Sequence, residues 1–68
     1  MTNKEMLMGI LRKAKMTQAD LAEKIGISRQ SMSYKINSKR DFKQGEIDRI
    51  CITLNIDSSQ RESIFFAA

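Results

Sequence analysis

Apolar residues recur along this chain at helical spacing, in runs separated by short polar breaks. Leu7, Ile10, Leu11 and Ala14 fall at i, i+3, i+4 and i+7 and line one face of a helix over about Asn3–Lys13. Thr2 and Glu5 stand at capping-box spacing at its start. Leu21, Ala22 and Ile25 predict a second helix, about Gln18–Lys24, with Thr17 as N-cap, Asp20 at the third helical position, and Met16 and Leu21 as a hydrophobic staple. A third helix, about Arg29–Ile36, follows the capping residue Ser28, with Ile27 and Met32 as its staple pair. Asn37 after it suits a left-handed C-cap. A fourth, about Gln44–Leu54, turns Ile47, Ile50, Cys51 and Leu54 inward. Phe42 and Ile47 have staple spacing around its start at Lys43, a poor N-cap, and Asn55 ends it. A fifth, about Ser58–Phe66, can be capped by Asp57, Ser58 or Ser59, and Ser59 with Glu62 has capping-box spacing. The pattern is that of an all-α chain forming one domain over residues 1–68.

The second and third helices are joined only by Gly26, Ile27 and Ser28. A glycine ends a helix in the left-handed conformation without a Cβ penalty, and Ser28 caps the next helix at once. So short a turn forces a steep crossing between the two helices.

The stretch Gln18-Ala-Asp-Leu-Ala-Glu-Lys-Ile-Gly26, followed by Ser28-Arg-Gln-Ser-Met32, resembles the lambda-repressor/Cro-type helix-turn-helix family of phage and bacterial regulators. The matching features are Gln18, Leu21, Ala22, Gly26 and the apolar Met32, about a third of the chain, and the flanks suit the family's five-helix domain. One departure stands out. Where many members carry an apolar residue, this chain has Lys35, and Ile36 is placed to supply the inward contact instead. The resemblance implies a compact all-α fold, double-stranded DNA as partner, the third helix in the major groove, and a homodimer on a palindromic operator.

Charge and side-chain chemistry agree with that implication. The chain carries 12 basic and 8 acidic residues, a net charge of +4. The excess of basic over acidic residues between Ser28 and Lys43 (Arg29, Lys35, Lys39, Arg40 and Lys43 against Asp41) equals that of the whole chain. A positive region on the reading helix and its trailing loop is the expected footprint for phosphate. At the start of the third helix Arg29 can donate two bonds to guanine O6 and N7, and Gln30 can pair with adenine N7 and N6. The resemblance adds Ser33 and Tyr34 to Arg29 and Gln30 as base contacts. Tyr34 suits a phosphate, a thymine methyl, or a half-buried place over the end of the bundle. The resemblance also implies phosphate contacts from Gln18, at the positive end of the second helix, and from Asn37, Lys39 and Arg40; Ser28, Ser31 and Lys35 are expected to join them. Arg12, Lys13 and Lys15 read first as a solvated helix end, with a second phosphate contact as the alternative.

Other classes find little support. There is no histidine, no paired cysteine for zinc, no glycine-rich phosphate loop and no nucleophile–base pair, so neither an enzyme nor a bound cofactor or metal is expected. The lone Cys51 reads as a small buried hydrophobe and fits a reducing cytoplasm, where the DNA-bound protein would lie on the nucleoid. No apolar run spans a bilayer and no signal peptide is expected. Ile56, Phe65 and Phe66 add apolar surface near the C-terminus, as candidate contacts to a second copy or another partner. The competing reading is a protein-interaction role on the same fold, an antirepressor or antitoxin that binds another phage regulator through the last two helices.

Overall fold

In a computed structural model, which describes residues 1–66, the chain forms α1 (Lys4–Lys13), α2 (Gln18–Ile25), α3 (Arg29–Ile36), α4 (Gln44–Leu54) and α5 (Ser58–Phe65). The described residues contain no strand. Helix α2 packs against both α3 and α4, and α1 packs against α5. The inner face of each helix meets in one core, where Leu7, Leu21, Met32, Ile36, Ile50 and Ile64 are fully buried.

Four of the five helices begin on a side-chain cap. Thr17 Oγ1 accepts from Asp20 N–H at 3.0 Å while the Asp20 carboxylate accepts from Thr17 N–H at 2.9 Å, a complete capping box. Ser28 Oγ accepts from Ser31 N–H at 3.0 Å. Two expected caps move. Asn3, not Thr2, caps α1, because its side-chain oxygen takes the Met6 N–H at 3.1 Å. Asp57 with Gln60, not Ser59 with Glu62, makes the box on α5. A carboxylate one residue before the helix reaches the third amide and takes the position first. Lys43, with no side-chain acceptor, leaves α4 half a box, its N–H donating to Glu46 Oε1 at 2.9 Å.

Four helices stop in the same way, on a residue of positive φ whose successor donates back to a carbonyl in the last turn. These residues are Lys15 (φ 54°), Gly26 (79°), Ser38 (61°) and Asn55 (54°). Gly26 and Asn55 are as expected. Asn37 is not the left-handed residue of α3; its φ is −86° and Ser38 takes that role. Ala14, expected inward on α1, is exposed at the helix end, and Ile10 is half-buried.

The first and last helices close on each other. Asn3 N–H donates to the Ile64 carbonyl at 2.6 Å, tying the start of α1 to α5. Phe65 is buried, edge-on to Phe42 with ring centroids 5.5 Å apart. Phe65 is therefore corrected from a partner contact to a core residue, and its burial against Phe42 supplies the reason. Ile56 is half-buried and Phe66 is 52% exposed. Cys51 is buried, as expected for a hydrophobe, and burial pushes its thiol up.

Candidate nucleic-acid interface

The turn between α2 and α3 is Gly26–Ser28. Gly26 N–H donates to the Ala22 and Glu23 carbonyls at 2.9 and 3.3 Å, and Ile27 N–H to Ala22 at 3.0 Å. These bonds take up two carbonyls of the last turn of α2 and redirect the chain, so Ser28 can open α3 at once. Met32 and Ile36 then anchor α3 from beneath, both fully buried. Arg29 and Gln30 are exposed and Ser33 and Tyr34 half-buried, so the polar side chains lie along the opposite side of the same helix.

These side chains are partly ordered by one another. Gln30 Nε2 donates to Tyr34 Oη at 3.0 Å, and the Arg40 guanidinium lies 5.6 Å from the centre of the Tyr34 ring. Asn37 Nδ2 donates to the Ser33 carbonyl at 2.8 Å, and Asn37 Oδ1 accepts from Lys4 Nζ at 2.8 Å. Lys4, which sequence reasoning left unassigned, thus stands beside the loop after α3. Lys39 and Arg40 are exposed on that loop. Ser28 and Ser31 sit at the start of α3, with Ser31 N–H already taken by Ser28 Oγ. Gln18 is half-buried on the first turn of α2, its Nε2 3.4 Å from Met8 Sδ.

Lys35 does not belong to this surface. It is 7% exposed, and its Nζ donates to both carboxylate oxygens of Glu46 at 2.7 Å. Glu46 is 5% exposed. Lys35 is corrected from a phosphate contact to one half of a buried ion pair that joins α3 to the first turn of α4. The physical reason is position. Residues 32, 35 and 36 share the inner side of α3, and a charge there needs a buried partner. Burial pushes the Glu46 carboxyl up, but the bonds from Lys35 Nζ and Lys43 N–H outweigh it and hold the carboxyl below its ordinary range. Sequence signals for the pair existed in a lysine at an inward position and a glutamate at the third position of a helix with a poor N-cap. The exposed basic residues of the region are then Arg29, Lys39, Arg40 and Lys43.

Among the described residues no helix is long and apolar enough to cross a membrane, and no cluster of three or more His, Cys, Asp or Glu stands ready for a metal. No curated protein matches the chain. Residues 6–60, which hold all of α2, α3 and α4, match the family described as the Cro/C1-type HTH DNA-binding domain. The pair of capped helices joined by the short turn at Gly26–Ser28 lies wholly within that match, and the chain belongs to the Cro/C1-type helix-turn-helix DNA-binding domains.

Proposed function

We propose that this chain is a sequence-specific transcriptional regulator, a small phage or prophage protein of the repressor type. In this reading it binds a palindromic operator as a homodimer, with α3 in the major groove. The observation that carries the reading is the outward side of α3. Arg29 and Gln30, the two side chains best suited to guanine and adenine edges, are exposed at its N-terminal end, the end that enters a groove in helix-turn-helix proteins. Ser33 and Tyr34 continue that side. Phosphates are assigned to Gln18, Ser28, Ser31, Asn37, Lys39 and Arg40, which position the protein without reading sequence. Contact with a second copy is assigned to Phe66 and the half-buried Ile56.

The test is selection of bound duplexes from a random DNA pool at near-physiological salt. The expected product is an inverted repeat with half-site centres about one helical turn apart. Binding without enrichment would leave the phosphate contacts and remove the base reading. A single enriched half-site would keep the reading and remove the homodimer. The competing role, docking to another regulator through α4 and α5, draws on the exposure of Ile52 (81%) and Phe66 (52%). A folded protein that binds no DNA would decide for it.

A further inference from the structure

Tyr34 occupies a place that its sequence position does not announce. Its hydroxyl accepts from Gln30 Nε2 at 3.0 Å, one turn earlier on α3. Its ring is covered on one face by the Arg40 guanidinium at 5.6 Å. The ring is half-buried and so held by its surroundings, whereas Gln30 is a long exposed side chain that would otherwise sample many rotamers.

We propose that Tyr34 is a positioning residue for base recognition, setting the Gln30 amide for adenine rather than contacting a base itself. The inference rests on the base-reading role proposed above for Gln30. The chemistry lies in the amide. A carboxamide nitrogen carries two hydrogens and its oxygen accepts. The bond to Tyr34 Oη spends one hydrogen. The other hydrogen and Oε1 remain, and they are the donor and acceptor that adenine N7 and N6–H₂ require. Guanine offers two acceptors at the same edge, N7 and O6, and would face Oε1 with one of them. While its nitrogen stays on Tyr34 Oη, the amide presents one donor and one acceptor, which suits adenine and not guanine. Holding it before DNA arrives also removes part of the ordering cost of binding, an effect of about two- to tenfold in affinity for one long side chain.

The test uses the full chain and duplexes in which every position of its selected site is varied in turn. Affinities are compared for the unsubstituted protein, Gln30→Ala, Tyr34→Phe and the double variant, with a thermal melt of each. Tyr34→Phe removes the hydroxyl and keeps the ring beneath Arg40. Gln30→Ala is expected to erase the preference at one adenine-containing base pair. Tyr34→Phe should lower preference at that same base pair by about two- to tenfold. It should leave other positions and the salt dependence unchanged, and add nothing when Gln30 is already alanine. A Tyr34→Phe effect at a different base pair would make Tyr34 a reader in its own right and overturn the proposal. An unchanged profile would overturn it as well, with the reading by Gln30 intact. If Gln30→Ala alters no position, the adenine reading itself fails and the role of Tyr34 falls with it.

Discussion

Glu46 holds two donors at once, Lys35 Nζ from α3 and the Lys43 N–H of its own helix. Removing it strands an ammonium in the interior. Glu46→Ala should cost about 3–5 kcal/mol. A domain of this size has roughly 3–10 kcal/mol in all, so much of the population should lose its helical circular dichroism signal at 37 °C. Replacing both partners by apolar groups, Lys35→Met with Glu46→Leu, should recover most of the loss, because no unpaired charge remains. The same pair sets an acid limit. The folded carboxyl titrates below its ordinary value, so the contribution of the pair is complete above about pH 4.3 and declines as pH falls through the lower, folded value. Melting temperatures across pH 2–6 check this, and Glu46→Gln should flatten that part of the curve. On the outer side of α3, Arg29→Ala should weaken binding to the preferred site by about 1–3 kcal/mol and relax one base pair. An equal loss on all sequences would make Arg29 a phosphate contact.

The helix ends follow one rule with unequal residues. Gly26 suits its positive φ, whereas Lys15 adopts φ 54° with a Cβ in place. Gly26→Ala should destabilise by about 1–2 kcal/mol, through backbone strain alone, since open space surrounds the new methyl. Lys15→Gly should do the opposite, stabilising by up to about 1 kcal/mol, because the penalty of a left-handed L-residue is removed. Urea denaturation of both variants decides. A destabilised Lys15→Gly protein would mean that unfolded-chain entropy outweighs the relieved strain. Element existence was legible throughout, because caps and apolar spacing act within a few residues. Ser38 and Lys15 were not legible as stop residues, because neither type prefers positive φ. The ends of those two helices, at Lys13 and Ile36, were nonetheless legible; only the residue that takes the left-handed conformation was not.

At the scale of the molecule, charge that looks contiguous in sequence divides in space. Within Ser28–Lys43, Lys35 is paired with the buried Glu46, and the other positive groups are exposed at the start of α3 and on the loop that follows it. Lys39→Ala should weaken binding to all duplexes almost equally and lower the slope of log affinity against log salt by about one. A changed base preference with the slope intact would contradict a phosphate role. The terminal aromatics divide in the same way. Phe65 closes the core against Phe42, while Phe66, the next residue, faces out.

Helical content, the capped turn at Gly26–Ser28 and the outward facing of Arg29 and Gln30 were all determined by the sequence alone. They depend on spacing of three or four residues, over which a helix converts order into direction. The same spacing puts residue 35 on the inner side of α3, but it cannot say what meets a charge there. That Lys35 meets Glu46, that Arg40 lies over the Tyr34 ring, and that Phe65 rather than Phe66 is buried were decided by the tertiary structure. Two of these contacts, Lys35 with Glu46 and Tyr34 with Arg40, join α3 to residues beyond its end, and the facing of the two phenylalanines depends on how α5 closes over Phe42. Only the packing of one element on another sets those distances.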